Sequence, residues 1–466
     1  MSGARTRRAR TRLAGTGWGR TSVAWTSLAM ASLITVATPP AFTSDLDPRV
    51  VRLLEAISPA RLQATVDKLQ GFGTRHTLSA TDSPTRGIGA ARQWILEEMR
   101  RSSPRLQVEF DTYPVAKQGE RITRDVELRN VVAVLPGRSA RRLYVTAHYD
   151  SVARPTDKSA SPSASGGFDW TVTDNDAPGA DDDGSGTALV MELARVFGES
   201  GTPFEATLVF ALFAGEEEGL VGSTLHAQKV ARAGLAVDAV LNNDIVGSPT
   251  GGDGIVDAGS VRVFSEGPED SASRQLARFI LRQAARYVPA HRVRLIARQD
   301  RFGRGGDHAP FNQGGFAAVR FCESRENYAR QHTALDTADA VRPEYLARNA
   351  RVNAAALASL ALAPAAPVVV NEKGGPLLDR QPAGYDARLR WTASPRAVSY
   401  RVFWREAWTP DWQHEADFGN VTEVVLPGLS IDEHVFGVAA VGADGQESLV
   451  AAYVNPSRPA AVIQTR

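Results

Sequence analysis

Three consecutive glutamates at the end of an apolar segment constrain this chain more than any other feature. The segment LVFALFA, residues 208–214, has the length and composition of a buried strand, and one glycine separates it from Glu216, Glu217 and Glu218. Like charges at the end of a core strand repel one another and lose hydration energy. A bound cation would offset this cost, and a solvated turn would avoid it. The three glutamates alone do not decide between the two.

Short apolar segments alternate with amphipathic ones along most of the chain. The strand-like segments are LQVEFDTY, NVVAVLPG, RLYVTAHYDS, ATLVFALFAG, AVLNNDIVGS and AAVRF. Helical spacing occurs at 50–70, 86–101, 187–199, 222–234, 273–287 and 344–363. Such alternation predicts an α/β fold in which a mainly parallel, mixed sheet carries helices on both faces.

The pattern changes near residue 364, where a segment rich in proline and glycine predicts a linker over 365–376. The last segment, 377–466, reads as short strands separated by turns, which predicts a small all-β sandwich. It resembles a fibronectin type III domain, with Trp391 and Tyr400 at the positions of core aromatic residues. We therefore predict a catalytic domain over 45–364 and a β domain after the linker.

The first 44 residues read as a secretory signal. Six arginines and no acidic residue occur there, an apolar stretch lies at 22–37, and small residues and prolines follow. This order predicts an exported protein, periplasmic or extracellular, with membrane attachment only if the segment stays uncleaved. Without it the formal net charge of +1 becomes about −5, and no basic patch indicates nucleic-acid binding. The single cysteine, Cys322, follows an apolar strand and is predicted to be a buried structural thiol.

Potential metal ligands follow the other central strands as well. His148 and Asp150 follow LYVTA, the run 181–183 opens a helix, Asp244 follows AVLNN, and His332 comes shortly after AAVRF. Singly, a strand histidine, a capping aspartate or a polar strand end has an ordinary structural explanation. Because ligands of such sheets collect beyond the carboxyl ends of the strands, the joint occurrence predicts one shared site.

The residue types also indicate the metal. Two histidines with several carboxylates and no cysteine favour zinc, with manganese or cobalt as alternatives. The candidates outnumber the three protein ligands of a single catalytic zinc. Two ions that share a carboxylate would use them all, and such a pair can act on both the attacking and the leaving group of a displacement. We therefore predict two zinc ions per chain.

Five ordered motifs resemble the co-catalytic zinc exopeptidases, the family of bacterial leucyl aminopeptidase and glutamate carboxypeptidase. The motifs are HYDS, GADDDGSG, EEEGLVGS, NNDIVG and QHTALDT, and the resemblance spans about residues 50–362. It implies a phosphorylase/hydrolase-like fold, peptide or protein substrates, and a role for each motif. The first zinc would be bound by His148, Asp182 and Asp244. The second would be bound by Asp182, Glu217 and His332, so that Asp182 bridges.

The same resemblance implies different roles for the remaining acidic residues. Asp150 would orient His148 through its second ring nitrogen, and Glu216 would be the general base that activates the metal-bound water. Glu218 has no role in the family, and we expect it to face solvent or to cap the next helix. Asp181 and Asp183 are expected to be loop acids, one of which holds backbone amides near Gly184.

The chain departs from some relatives in which a tyrosine precedes the last zinc histidine. Gln331 occupies that position here, and Tyr328 and Arg304 are the candidate substrate-binding residues. The predicted reaction is hydrolysis of the N-terminal peptide bond by an aminopeptidase. Carboxypeptidase or dipeptidase activity on the same scaffold stays open, because the metal ligands do not distinguish the two ends of a peptide. Glutaminyl cyclase is a further alternative, which the presence of His148 disfavours.

Overall fold

The structure is a computed structural model that describes residues 46–154, 167–380 and 384–454. The predicted signal segment, residues 1–44, lies outside the described residues, and export stays a prediction. Within those three ranges, no helix is long and apolar enough to cross a membrane.

Helices and strands are numbered in chain order. The helices are α1 Pro48–Glu55, α2 Pro59–Gln70, α3 Gly87–Ser102, α4 Gly184–Glu199, α5 Val221–Arg232, α6 Ala272–Tyr287, α7 His308–Gln313 and α8 Pro343–Leu362. The first strands are β1 Gln107–Val115, β2 Val126–Leu135, β3 Arg142–His148, β4 Thr207–Phe213, β5 Val237–Asn243, β6 Ser260–Ser265, β7 Arg292–Ile296 and β8 Ala318–Glu323. The later strands are β9 Leu378–Arg380, β10 Ala387–Arg390, β11 Ser399–Glu406, β12 His414–Phe418, β13 Glu423–Leu426, β14 His434–Val441 and β15 Ala451–Ala452.

The first eight strands form one mixed sheet in the order β1-β2-β4-β3-β5-β8-β6-β7. Its centre, β4-β3-β5-β8, is parallel, and the pairs β1–β2, β2–β4 and β6–β8 are antiparallel. The predicted α/β fold with a mixed sheet is confirmed. Because the four central strands run in one direction, their carboxyl ends lie along one edge, where a site is expected.

Both faces of the sheet are covered, which explains why its central strands are continuously apolar. Alternate residues of β3 point into different cores: Leu143 and Val145 pack in the larger one, and Tyr144 packs in the smaller. Helices α4, α6 and α8 contribute to the larger core, and α5 contributes to the smaller. The helical segment predicted at 50–70 is divided, because Ser58 caps α2 and Pro59 occupies its first turn.

The carboxyl-terminal strands form two small antiparallel sheets, β13-β10-β9 and β12-β11-β14-β15. They enclose a common core that includes Trp391 and Tyr400, whose ring centroids lie 5.3 Å apart. Val369, within the predicted linker 365–376, is buried in the same core. The small antiparallel sheets are thus observed, whereas their likeness to fibronectin type III and the domain boundaries stay predictions.

Buried polar contacts join the β domain to the α/β part. Arg405 is only 1% exposed, and its Nη2 lies 2.6 Å from Asp270 Oδ1. Trp412 Nε1 donates to Gln275 Oε1 at 3.1 Å, and Gln446 Nε2 donates to Asp47 Oδ2 at 2.9 Å. The contacts lie beside α6 and before α1, and none of them involves a predicted site residue.

Candidate metal centre

The carboxyl ends of the central strands bring the predicted ligands together. His148 is the last residue of β3, Asp244 follows β5 directly, and Glu217 follows β4 after a short turn. Asp182 comes from the loop before α4, and His332 from the loop after β8. Residues scattered over nearly 190 positions of the sequence therefore meet at one edge of the sheet.

His148, Asp182 and Asp244 form the first triplet. His148 Nε2 lies 3.4 Å from Asp182 Oδ1 and 3.9 Å from Asp244 Oδ1. All three side chains are buried.

Asp182, Glu217 and His332 form the second triplet. His332 Nε2 lies 2.9 Å from Asp182 Oδ2 and 3.2 Å from Glu217 Oε2. Asp182 thus presents Oδ1 to the first triplet and Oδ2 to the second, which is the arrangement of a bridging carboxylate. Within each triplet, one ligand atom per residue lies within 4.8 Å of the others.

These triplets fit zinc in both donor type and spacing. Nitrogen and oxygen ligands about 2.0–2.2 Å from a tetrahedral zinc are separated by roughly 3.4 Å from one another. The separations from 2.9 to 3.9 Å bracket that value. His148 Nε2 and Glu217 Oε1 are also buried without a hydrogen-bond partner. Such atoms are costly unless a ligand satisfies them.

Asp150 connects the first strand end to the glutamate loop. His148 Nδ1 lies 3.2 Å from the backbone oxygen of Asp150 and 3.5 Å from its Oδ1, so Nε2 faces the triplet. The carboxylate of Asp150 also accepts from the backbone N–H of Glu216 at 3.4 Å and of Glu217 at 3.2 Å. A single buried carboxylate therefore fixes two of the loops that carry candidate ligands.

The acids beside Asp182 hold backbone amides. Asp183 caps α4 by accepting from Gly186 N, and it also accepts from His148 N and Ile245 N at 3.1 and 3.2 Å. Asp181 accepts from Gly247 N at 2.8 Å. Both are loop acids, as expected, and they tie the Asp182 loop to the ends of β3 and β5.

The concentration of carboxylates shifts the proton affinity of the site. Burial alone would lower the pKa of His332, but the carboxylates of Glu217 and Asp182 raise it to about 10. Burial raises the pKa of Glu216 well above its usual range, and the neighbouring carboxylates of Asp244 and Glu217 raise it further. In the metal-free protein, these side chains thus hold protons at the place where metal ions would bind.

The environment of Glu218 differs from the prediction. Its side chain is fully buried, and Oε1 lies 3.3 Å from His76 Nδ1. The expectation that Glu218 faces solvent or caps a helix is wrong. The reason is the turn after it: Gly219 and Leu220 both have positive φ angles, 114° and 61°, and α5 begins without a side-chain cap. This path directs Glu218 inward.

The two candidate substrate-binding residues lie on the loops after β7 and β8. Tyr328 is 62% exposed, and its hydroxyl points to Glu326 Oε1 at 3.4 Å. Arg304 Nη1 donates to Gln331 Oε1 at 3.0 Å, and Gln331 Nε2 donates to Asp182 Oδ2 at 2.9 Å. Arg304 is therefore connected to the bridging carboxylate through Gln331, whereas no contact joins Tyr328 directly to a triplet residue among those described.

Two buried arginines next to the triplets were missed by the sequence reasoning. Arg75 donates to the backbone oxygens of Tyr149, Pro178 and Gly179 at 2.6–2.8 Å, and so joins the segments before Asp150 and Asp181. Arg320 contacts Asp244 from β8. An arginine inside the apolar segment AAVRF was the available signal for Arg320. Arg75 lies in a loop, and nothing in the sequence around it marks its role.

Comparison with known proteins fits this geometry. Residues 130–357 match the model of peptidase family M28. A probable zinc metalloprotease of Leptosphaeria maculans is 40% identical over 433 residues, which cover 85% of this chain and 94% of the relative. The chain belongs to peptidase family M28. Another probable zinc metalloprotease, from Pyricularia oryzae, is 41% identical and covers 85% of this chain and 82% of its own. The protein is a zinc-dependent peptidase.

Solved structures show the same fold for this M28 peptidase. The Legionella pneumophila LapA aminopeptidase aligns over 68% of this chain and 76% of its own, with 21% identity and a TM-score of 0.51. The Porphyromonas gingivalis glutaminyl cyclase aligns over 65% and 98%, with 18% identity and a TM-score of 0.50. Because an aminopeptidase and a cyclase share the scaffold, the fold does not choose the reaction, and residues must.

Proposed function

We propose that this M28 peptidase is a di-zinc aminopeptidase that hydrolyses the N-terminal peptide bond of peptides. The observation that carries the proposal is the pair of ligand triplets joined through the two oxygens of Asp182. Two metals held this way would polarise the scissile carbonyl and lower the pKa of the attacking water.

Glu216 is the proposed general base. It neighbours ligand Glu217 but belongs to neither triplet, so its carboxylate is left to exchange protons. Burial raises its pKa above the usual range of a glutamate, which makes the carboxylate a stronger base. Glu216 takes the proton of the attacking water and delivers it to the leaving amine. Asp150 supports this step by accepting from the Glu216 backbone N–H, which fixes the loop.

The charges around the site favour a substrate amine over a substrate carboxylate. A carboxypeptidase needs a cation for the C-terminus, but the arginines near the triplets have partners. Arg320 pairs with Asp244 and Asp300, and Arg301 with Asp300 and Glu326. Arg304 donates to Gln331 and lies 3.7 Å from Glu326.

By contrast, the pocket next to Asp182 has four further acids among its described lining residues, and the arginine there, Arg330, is paired with Asp339. The four acids are Asp181, Glu323, Glu326 and Asp336. An ammonium group suits this lining.

The presence of His148 supports two metals over one. With Asp182 and Asp244 it completes the first triplet, which a cyclase with a single zinc would not use. A cyclase with one tightly bound zinc would leave His148 Nε2 a buried atom without a partner.

The base assignment is tested by Glu216→Gln. We expect zinc content like the wild type and a kcat at least about a hundredfold lower, because general-base catalysis contributes about 10²–10⁴-fold. Glu192→Gln is the matched control: Glu192 is also buried but lies on α4, where it pairs with Arg195. Near wild-type turnover by Glu216→Gln would show that Glu216 is not the general base.

The direction of cleavage is tested with an amino-acid p-nitroanilide and the same substrate acetylated at its amine. An aminopeptidase cleaves only the first. A C-terminally blocked and an N-terminally blocked dipeptide complete the comparison, since cleavage of the N-blocked dipeptide alone would instead establish a carboxypeptidase.

We also propose that the enzyme is exported, on the arginine-rich and apolar segment at residues 1–44. Fusion of this segment to an enzyme that is active only outside the cytoplasm should give extracytoplasmic activity. The same fusion with residues 22–37 deleted should give no extracytoplasmic activity.

A further inference from the structure

Arg320 is a charged residue in the middle of the buried strand β8. Its side chain has no exposed surface, and it stands opposite Asn242 in the pairing of β5 with β8. Buried arginines are rare unless they are paired, because removal of the charge from water is costly. The partners of Arg320 therefore indicate why it is there.

One of those partners is a candidate metal ligand. Arg320 Nη2 lies 2.8 Å from Asp244 Oδ1, the oxygen that also faces His148 Nε2. On its other side, Arg320 Nη1 lies 3.0 Å from Asp300 Oδ2 and donates to the backbone oxygen of Gly305 at 2.9 Å. The guanidinium is thus held in place by the β7–α7 loop, whatever occupies the triplet.

We propose that Arg320 is a positioning residue that shares the carboxylate of Asp244 with the zinc of the first triplet. It pairs with the Asp244 carboxylate in the metal-free protein, and its competition with zinc for the same oxygen outweighs the benefit of holding that carboxylate in place. The inference rests on the proposed role of Asp244 as a zinc ligand.

The surrounding charges explain why such a residue is needed. Asp244 lies near the carboxylates of Glu216, Asp183 and Asp307; burial raises the pKa of each, and the charge of Asp244 raises it further. Without Arg320, the buried side chain of Asp244 would lose its nearest cationic partner. Arg320 supplies that cation before zinc arrives. Once zinc binds, two cations share one carboxylate, and each weakens the other's binding by the same factor.

The contacts of Arg320 continue to the other triplet. Arg301 pairs with both Asp300 and Glu326, at 3.0 and 2.7 Å. Arg304 lies 3.7 Å from the same Glu326 oxygen and donates to Gln331, which donates to Asp182. A continuous polar chain therefore joins Asp244 to Asp182 around the site. This support keeps Arg320 from turning away when zinc competes for Asp244.

A purely structural arginine would behave differently. Arg405 is the matched example, because it is equally buried and pairs with Asp270 at 2.6 Å, on the β domain and away from both triplets. Loss of Arg405 should destabilise the metal-free and the zinc-loaded protein alike. Loss of Arg320 should destabilise the metal-free protein more than the zinc-loaded protein. The reason is that bound zinc supplies a positive charge beside Asp244 in place of the lost guanidinium.

The experiment measures the melting temperature of the full chain, metal-free and zinc-loaded, for the wild type, Arg320→Met, Arg320→Lys and Arg405→Met. We expect the zinc-induced rise in Tm to exceed that of the wild type by about 3 °C or more in Arg320→Met. It should be unchanged in Arg405→Met and close to wild type in Arg320→Lys, which keeps the charge. An Arg320→Met protein that folds only with zinc is the extreme form of the same result.

An equal or smaller zinc-induced rise in Arg320→Met would overturn the inference. If Arg320→Met folds neither with nor without zinc, Arg320→Lys then provides the test. A zinc-induced rise in Tm equal to that of the wild type supports charge sharing. Failure of Arg320→Lys to fold, or a different rise in Tm, rejects it. A chelator competition provides a second readout, with zinc bound roughly tenfold more tightly by Arg320→Met. A wild type that gains no stability from zinc would reject the proposed ligand role of Asp244 itself, which separates the two failures.

Discussion

The two ligand triplets share Asp182 but differ in how the fold holds them. In the first triplet, His148 ends β3 and Asp244 follows β5, and both are nearly inaccessible to solvent. In the second, His332 comes from a loop, has a positive φ of 56°, and keeps 17% of its side chain exposed. One metal position is therefore built on adjacent parallel strands, and the other depends on a loop.

The difference extends to the residues behind each triplet. Arg320 contacts only the first triplet from its buried position, whereas Asp150 contacts His148 and also accepts from the backbone N–H of Glu217. His332 has an aromatic neighbour instead: the ring of Phe168 lies edge-on to it, with centroids 5.5 Å apart. Because loops open at lower free energy than core strands, we expect the second metal to exchange faster than the first. Mutations in each triplet test this expectation.

Asp182→Asn should have the largest effect, because Asp182 belongs to both triplets. We expect loss of both zinc ions on dialysis and a fall in kcat/KM of at least about a thousandfold, the equivalent of roughly 4 kcal/mol of transition-state stabilisation. Zinc analysis and steady-state kinetics measure this. The adjacent Asp181→Asn should keep its zinc, and retention of two ions by Asp182→Asn would contradict the bridge.

His148→Ala and His332→Ala should separate the triplets by stability. Each variant should lose one zinc ion. In the metal-free state, removal of the buried ring of His148 should cost about 2–3 kcal/mol of unfolding free energy, because it leaves a cavity. Removal of the loop ring of His332 should cost less than about 1 kcal/mol. Chemical denaturation measures both values. Equal losses would show that the second triplet is as rigid as the first.

Zinc binding should depend on pH through His332. Despite burial, the carboxylates of Glu217 and Asp182 raise the pKa of His332 from the ordinary 6.5 to about 10, so at pH 7.5 it is protonated in the metal-free protein and must release that proton to bind zinc. Affinity should therefore rise with pH, by roughly tenfold per unit for each proton released. Calorimetry in buffers of different ionisation enthalpy counts the protons, and His332→Ala should release about one fewer. An unchanged number of released protons would show that His332 does not bind zinc.

Phe168→Leu should have the smallest effect and act on one triplet only. Loss of the edge contact with the His332 ring should weaken the second zinc about two- to fivefold, the equivalent of roughly 0.5–1 kcal/mol. The first zinc should bind as in the wild type. A chelator titration that resolves two steps measures both, and a shift of the first step would show that the triplets are not independent.

Four of the five candidate ligands could be predicted because each follows an apolar segment that reads as a central strand, whereas Asp182, which precedes α4, was assigned from the family resemblance. Parallel strands bring their carboxyl ends to one edge, so spacing along the sequence carried information about proximity. Strands β6 and β7 were missed for the opposite reason. Their sequences, SVRVFS and RVRLI, include arginines, and Arg262 is paired with Glu326 in the folded protein. Their valines alternate with the arginines and are buried in the larger core, so these strands have a short two-residue period instead of the continuous apolar run of the central strands.

The supporting residues were harder to predict than the ligands. Arg75 acts through backbone oxygens that belong to segments more than 70 residues away. Glu218 was assigned to solvent because nothing in its neighbourhood specifies the direction of the chain after Gly219. Both cases depend on tertiary contacts, which a local pattern does not contain.

Anomalous diffraction at the zinc absorption edge tests the central claim most directly, because it locates the ions and counts them. The predicted result is two peaks about 3.5–4 Å apart, one beside His148 and Asp244 and one beside Glu217 and His332, with Asp182 between them. The peak at the first triplet should have the higher occupancy after brief exposure to a chelator. A single peak, or two peaks that Asp182 does not join, would contradict the two-metal site.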